Sequence, residues 1–397
     1  MFNRLPVVRP SRPSASRGRS FPLSVRLAGV CSAGLILALA SPAPGLTSAS
    51  GDFLLQPALF SPKASRALLL GLARAGHRLV AVGERGVVLC SEDEGANWRQ
   101  SPMPVSVTLT AVQFPTADRG YAVGHDGVVM ATDDGGRTWS RRFDGNRSNA
   151  LMEADASLRL ERLQARGGAT ADETTVAENA LDDARAAARF GPSHPLLGVW
   201  FESADRGVVV GSYGQIFRTA DGGATWDSLG LRLDDADGLH LNAVTATSDG
   251  VWLVVGEGGR IYRSTDGGDH WTRTEVGGKG AFLGVKAWRD RDGKSRILAY
   301  GFGGRVFRSL DDGRTWDSWA GCGERTVVDA VIGDDGQPML VDGASTLVTG
   351  GFDGQACRAT PLLSQAQTAA AVPLAANRLA LAGPGGIHMA SFSPISR

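Results

Sequence analysis

The chain has 397 residues, with 41 lysines and arginines against 41 aspartates and glutamates, 53 glycines and 7% aromatics. That length suffices for one large β domain or two ordinary domains. A formal net charge of +0 excludes a general electrostatic case for nucleic acid as a partner.

Residues 1–40 have the make-up of a secretory signal peptide. Arg4, Arg9, Arg12, Arg17, Arg19 and Arg26 precede the apolar run Leu27 to Ala40, which ends Ala38-Leu39-Ala40 before Ser41. The run is short for a membrane span, and a retained anchor is the alternative. The implied location is the periplasm or otherwise outside the cytoplasm, peripheral to a membrane at most. Cys31 follows Val30 inside the apolar run, which argues against lipidation. Residues 41–51 read as a linker and 52–397 as one repeat domain.

From there the chain is organised by a turn of the form Ser/Thr-x-Asp-x-Gly-x-Thr-Trp, the Asp box. It occurs at Ser91 to Trp98, Thr132 to Trp139, Thr219 to Trp226, Ser264 to Trp271 and Ser309 to Trp316, so its Asp and Trp positions are Asp93, Trp98, Asp134, Trp139, Asp221, Trp226, Asp266, Trp271, Asp311 and Trp316. The Asp carboxylate accepts hydrogen bonds from its own turn, Gly takes φ > 0 and Trp covers neighbouring strands. A corner repeated in every unit is structural and not catalytic. The Trp intervals are 41, 87, 45 and 45, one period of about 43 residues with one insertion.

Each unit reads as four short antiparallel strands. In the second these are Leu109 to Phe114, Arg119 to Val123, Val128 to Ala131 and Thr138 to Phe143. A Gly-rich turn, Gly124 to Gly127, joins the second strand to the third, and the Asp box joins the third to the fourth. Gly-rich turns recur at Gly83 to Gly86, Gly211 to Gly214, Gly256 to Gly259 and Gly301 to Gly304, with degenerate copies at Asp342 to Ser345 and Gly383 to Gly386. The expected fold is all-β, a seven-bladed β-propeller, with six or eight blades as alternatives. The chain ends before the seventh unit can make its fourth strand, and Phe53 to Phe60 is the candidate to supply it, closing the ring and removing the exposed edge.

The insertion, residues 146–190, is helical. Ala150 to Arg166 and Ala171 to Phe190 are rich in helix formers, and Gly167-Gly168 separates them. Thr170 and Glu173 form a capping-box pattern, with Val176, Ala180, Ala184 and Ala187 as the apolar stripe. Either a two-helix hairpin or one helix with a flexible lead-in fits. It joins the fourth strand of blade two to the first of blade three, which puts it on the face of the Gly-rich turns, opposite the Asp boxes. That face is where variable loops and helices combine into a partner-binding surface.

No constellation for catalysis stands out. A sialidase needs an arginine cluster, an Arg-Ile-Pro motif and a Tyr nucleophile paired with Glu. The chain has no Arg-Ile-Pro, and of Tyr121, Tyr213, Tyr262 and Tyr300 only Tyr213 lies in a loop on the variable face. Glu84 and Glu257 occupy equivalent turns and read as solvated turn residues rather than an acid/base pair. No Cys/His cluster has metal spacing, and no cofactor motif is present. Arg85, Arg260 and Arg305 sit in or beside the Gly-rich turns and make a basic patch if they converge; otherwise they pair with neighbouring acidic side chains. Cys322 and Cys357, in consecutive repeats of an exported chain, are the candidate disulfide, with Cys90 left as a buried thiol.

The unit Gly-x-x-Gly-x-Ile/Val-x-Arg-Ser/Thr-x-Asp-Gly-Gly-x-Thr-Trp, clearest at Gly211 to Trp226 and Gly256 to Trp271, resembles the photosystem II stability and assembly factor family. The resemblance covers about residues 67 to 316 well and 327 to 391 weakly. It implies an exported, non-enzymatic propeller that holds membrane-protein assembly intermediates through an arginine-rich surface, and a monomer is the expected state. Arg85, Arg260 and Arg305 are the positions carried over, with Tyr213 beside them. The helical insertion and decayed sixth box depart from the pattern and point to a non-photosynthetic relative serving an envelope transporter or another membrane complex. A sialidase-like glycoside hydrolase or glycan-binding propeller is the alternative.

Overall fold

The computed structural model describes residues 52–233, 238–277, 280–319, 325–350, 352, 357–362, 367–375 and 377–393. The signal peptide and linker expected over 1–51 lie outside them, as does Cys322. Among the described residues, consecutive strands form seven antiparallel sheets, six of four strands and one of three. The innermost strands are Leu69–Ala75, Leu109–Gln113, Leu196–Phe201, Leu241–Ala246, Phe282–Arg289, Val327–Ile332 and Ala370–Leu374. Each lies beside the next, and the last returns to the first. The ring is closed, which is a seven-bladed propeller. In blade two the strands fall at Leu109–Gln113, Gly120–Gly124, Val129–Thr132 and Ser140–Phe143, close to the sequence expectation.

The repeated turn folds the same way five times. In blade three the Thr219 hydroxyl donates to Asp221 Oδ1 (2.9 Å) and accepts from Gly223 N (2.9 Å). Asp221 then takes the Thr225 amide (2.9 Å) and hydroxyl (2.6 Å), while Trp226 Nε1 donates to Gly223 O (3.1 Å). Asn97 replaces the Thr in blade one and His270 in blade four, each still reaching the Asp. Hydrogen bonds of this kind favour the ionised carboxylate. The Asn97 amide and side chain lower Asp93 to about 2, and the Thr225 hydroxyl and amide lower Asp221 to about 2.

The apolar core is divided among the seams between blades. Seven clusters each combine residues of adjacent blades, for example Val80 and Val82 of blade one with Leu109, Ala122 and Met130 of blade two. The turn Trp closes the seam toward the preceding blade: Trp139 packs on blade one, Trp226 on Tyr121 and Phe143 of blade two, and Trp316 on blade four. Blade six lacks this Trp, and Phe352 and Trp319 fill its seam with Trp288 instead.

Arginines lock the same seams. Each reaches the residue that follows the Asp position in the next blade's turn. Arg218 donates to Gly267 O (2.8 Å), Arg263 to Asp312 O (2.7 Å) and Arg308 to Phe352 O. In blades one and two the equivalent residue is Cys90 or Ala131, and another arginine, five positions before the end of the second strand, does the work. Arg119 donates to Gly222 O (3.1 Å), and the Arg78 guanidinium covers Gly135, where a Cβ would meet it at 2.4 Å. Arg378 occupies that second position in blade seven and reaches Glu94 (2.9 Å) across the ring closure. Between blades six and seven a carboxylate substitutes: Asp329 accepts from Ala371 N (2.8 Å) and from the Tyr300 hydroxyl (3.3 Å).

The closure differs from expectation. Phe53 to Phe60 adds no strand to blade seven, whose described strands are Ala370–Leu374, Arg378–Gly383 and Gly386–Ser391. It lies against the seam of blades one and two, with Leu54 and Ala58 only 3% and 7% exposed, Ala58 N donating to Met103 O (2.9 Å) and Ser106 N to Phe53 O (2.9 Å). Pro57 has no N–H for a ladder, and the seam offers Leu54 and Ala58 apolar partners. Blade seven closes on blade one by side-chain packing around Leu72 and Val372 and by Arg74 donating to Pro373 O (2.9 Å).

Two expectations follow. Arg218→Met, at a side chain 24% exposed, is expected to lower unfolding stability by about 1–3 kcal/mol in urea melts, and Arg218→Lys is expected to recover little, because one ammonium does not reproduce the fork. The turn carboxylates have folded values below their ordinary 3.8, so their contribution is present above about pH 4 and lost as pH falls toward about 2. Thermal melts across that window are expected to show the loss, with a shallower slope in Asp221→Asn.

Candidate functional site

The two ends of the ring differ in how their polar groups are used. On the end with the Asp and Trp turns, the repeated side chains are consumed by hydrogen bonds within the turn or across the seam. The other end carries the turns between second and third strands and the helical insertion.

The insertion is a helical hairpin. Helix α1 spans Gly145–Arg166 and helix α2 spans Ala171–Phe190. α1 begins five residues before Ala150 because Asp144 caps it, accepting from the amides of Asn146 (3.1 Å) and Arg147 (3.3 Å). Thr170 and Glu173 form the reciprocal capping box at the start of α2. The apolar stripe of α2 is shifted from the expected one: Ala177 and Leu181 are buried, whereas Val176 is 52% exposed. Packing against α1 selects the face that carries the larger Leu181.

α1 is seated on the ring. Leu151 and Met152 pack on the cluster of Phe143, Phe201 and Phe217. Ser148 Oγ donates to Gln215 Oε1 (2.6 Å), the residue between the blade three turn and its third strand, and Ser228 Oγ donates to Asp155. Burial pushes the Asp155 carboxyl up, against the pull of that hydroxyl. At its first turn the α1 backbone approaches the His125–Gly127 turn so closely that a Cβ on Gly127 would lie 2.7 Å from Gly145 Cα. The hairpin thus stands beside the turns of blades two and three, on the face that strand parity indicates.

The candidate residues sit in or beside the turns of blades one, four and five, each with its own local partners. Arg85 is exposed at the middle of the blade one turn, with φ 52°. Arg260 lies 3.9 Å from Glu275 of its own blade. Arg305 donates to Val276 O (2.9 Å) and Gly277 O (2.7 Å) and covers the rings of Phe282 and Phe307. Those two guanidiniums brace the outer strand of blade four. Glu84 and Glu257 likewise hold backbone, accepting from Leu68 N (2.8 Å) and His240 N (3.0 Å) of their own blades. The two carboxylates lie in blades one and four.

Tyr213 is different. It occupies the middle of the blade three turn with φ 56° and is 54% exposed. Its ring packs against those of His194, at 4.5 Å, and His240, at 4.9 Å. His194 and His240 come just before the innermost strands of blades three and four, which places the three rings beside the central opening. Sequence reading found Tyr213 but neither histidine, because the two are scattered in the chain and meet only through the ring. The seam arginines were also missed, although their recurrence before the box Ser/Thr at 218, 263 and 308 is visible in the repeat.

Cys90 is a free, half-buried thiol whose pKa burial raises, and Cys357 is disulfide-bonded. Among the described residues no group of His, Cys, Asp and Glu is placed to hold a metal ion, and no helix is long and apolar enough to cross a membrane.

The family model described as photosynthesis system II assembly factor YCF48 matches residues 90–169 and 187–320, leaving out most of α2. Among curated proteins none matches the chain. Solved structures that it resembles include YCF48 bound to D1 peptide, at 16% identity and TM-score 0.55, covering 85% of this chain and 99% of that one. YCF48 from Cyanidioschyzon merolae aligns at 17% identity and TM-score 0.57, over 85% of this chain and 98% of that one. The WD40 β-propeller domain of Doa1 aligns at 9% identity and TM-score 0.55, over 87% and 98%. At these identities the structures speak for the fold alone.

The seating of the hairpin is testable by itself. Asp155→Ala is expected to make opening of α1 easier by about 1–3 kcal/mol in native-state hydrogen exchange, while the urea midpoint of the propeller stays within error of the parent.

Proposed function

The chain belongs to the photosynthesis system II assembly factor YCF48 family, and from that membership we propose that it is a non-enzymatic scaffold holding a segment of a membrane-protein partner on the face of the Gly-rich turns. The observation that carries this reading is the asymmetry of the ring. The repeated Asp and Trp residues are spent on bracing, whereas the opposite end presents the seated hairpin and the exposed Tyr213 beside the central opening. One structural relative is a YCF48 bound to D1 peptide, which supports a peptide as the form of the ligand.

The partner in this reading is a complex of the cell envelope, such as a transporter, rather than a photosystem. The arginine and apolar make-up of residues 1–40 supports export to the periplasm, with the propeller peripheral to the membrane and monomeric. The candidate disulfide Cys322–Cys357 fits an oxidising compartment. The roles of Glu84 and Glu257 as backbone acceptors support a protein without glycosidase chemistry.

Chemical crosslinking of intact cells followed by purification of the tagged chain tests the proposal. A discrete envelope protein is expected in the adducts, and the tagged chain is expected in the periplasmic fraction with its N-terminus near Ser41. Recovery of the chain in the cytoplasm, or adducts free of envelope proteins, rejects the scaffold. Turnover of a panel of fluorogenic glycosides that is lost in Glu257→Gln would favour the hydrolase instead.

A further inference from the structure

The stretch Phe53 to Phe60 does more than cover the seam of blades one and two. Leu54 and Ala58 face the seam, whereas Phe53, Leu55, Leu59 and Phe60 are 58%, 69%, 84% and 66% exposed. Single exposed apolar side chains are ordinary, but four on one short strap call for a cause. The backbone beneath them is tied down. Leu54 N donates to Asp52 Oδ1 (2.9 Å), Leu55 N to Asp52 O (2.9 Å) and Ala58 N to Met103 O (2.9 Å). The carbonyls of Phe53, Leu54 and Leu59 accept from Ser106 N (2.9 Å), Arg141 Nη1 (3.0 Å) and Gln100 Nε2 (2.9 Å). With these groups engaged and Pro57 lacking an N–H, the strap is poorly suited to pair with a partner strand and presents side chains instead.

What covers the strap follows from its area and its place in the chain. The four side chains offer roughly 500 Å², at about 200 Å² for a fully exposed side chain of this size, against the about 800 Å² that each partner commits to a stable protein interface. The strap alone is too small to hold a second copy. A lipid interface sets no such minimum, because apolar side chains enter it one by one. The chain upstream points the same way. With export as read above, the apolar run Leu27 to Ala40 lodges in the membrane, and Ser41 to Gly51 carries no charge. Residues 41–52 reach at most about 43 Å when fully extended, so the strap emerges beside the bilayer. Cations stand close by. Lys63 and Arg66 are exposed just beyond the strap, and Arg85 is exposed in the turn where a Cβ on Gly86 would lie 3.1 Å from Ala58 Cβ. The acidic groups at its start are Asp52, which caps the Leu54 amide, and Asp126, which senses the Asp52 charge.

We propose that Phe53, Leu55, Leu59 and Phe60 form a membrane-docking strap, which enters the interfacial layer of a phospholipid bilayer and holds the propeller against it by the seam of blades one and two. Lys63, Arg66 and Arg85 then serve the headgroup phosphates. The proposal rests on the reading of the chain as an exported protein peripheral to the membrane, and it names the surface that makes the contact. Holding the backbone on the seam places the side chains in advance, so that little ordering accompanies their transfer. The helical hairpin, seated on the next seam round the ring, stays clear of the strap and comes near the membrane, where an envelope complex presents its exposed segments.

The test uses the full chain, with the N-terminus that the cell leaves on it, and sucrose-loaded vesicles of equal parts phosphatidylglycerol and phosphatidylcholine. The parent is expected to sediment with the vesicles. Leu59→Ser combined with Phe60→Ser is expected to weaken that binding at least about tenfold. Phe53→Ser is expected to weaken it less, and Phe60→Trp to keep it. The urea midpoints are expected to stay at the parent's, because the exchanged side chains face solvent. Salt at about 0.5 M is expected to reduce binding less than about threefold, since apolar contact carries it. The proposal is overturned if the parent does not sediment with the vesicles, if the double variant binds as the parent does, or if salt alone abolishes binding. It is equally overturned if the parent is dimeric by analytical ultracentrifugation and the double variant monomeric, which would make the strap a contact between copies. If the double variant has a lower urea midpoint, Phe53→Ser decides, and binding equal to the parent's overturns the proposal. Vesicle binding is measured without a partner and cellular location by fractionation, so failure of the strap is distinguishable from failure of the exported-scaffold reading.

Discussion

Everything in this ring depends on how each blade grips the next. A four-stranded blade has two faces and almost no core of its own, so its stability comes from the seams. The grip has two parts, a Trp that closes the apolar seam and an arginine that reaches the residue after the next blade's turn Asp. The constraint lies on the destination and not on the donor. Arg218, Arg263 and Arg308 reach it from the third strand, whereas Arg78, Arg119 and Arg378 reach it from the start of the second. Even where blade six has lost its turn motif, Phe352 still presents its carbonyl to Arg308.

That grip explains the asymmetry of the two ends. On the end with the Asp turns, a side chain that leaves its place loosens a turn and a seam together, so those residues are committed. The connections at the other end carry no such double duty. They can lengthen into a hairpin, as between blades two and three, provided the new element finds its own seat. Ser148, Leu151, Met152 and Asp155 provide that seat for α1.

Much of this was legible in the sequence because repetition multiplies a weak local signal. One Gly-rich turn predicts little, but seven at a steady period predict the blades, and the parity of strands then places the insertion. What repetition does not encode was misjudged. Phe53 to Phe60 looked like a missing strand by elimination, yet Pro57 and the apolar seam beside Met103 place it elsewhere. The stripe of α2 was assigned one residue out of register, because its alanines mark several faces equally and the partner helix decides between them. The pairing of Tyr213 with His194 and His240 joins residues from two blades and has no local signature.

The same reasoning bears on where function resides. A residue that recurs in every blade is explained by the ring, and its recurrence argues against a site. A residue that breaks the repeat at a structural disadvantage calls for a separate cause. Arg260 and Arg305 stand where blades one to three have Val87, Val128 and Gln215, and local contacts explain them, since both tie down the outer strand of blade four. Tyr213 shares its left-handed backbone with Arg85 and Asp126 in the turns of blades one and two, but its ring packs on His194 and His240 from two blades and remains half open to solvent, which the repeat does not explain.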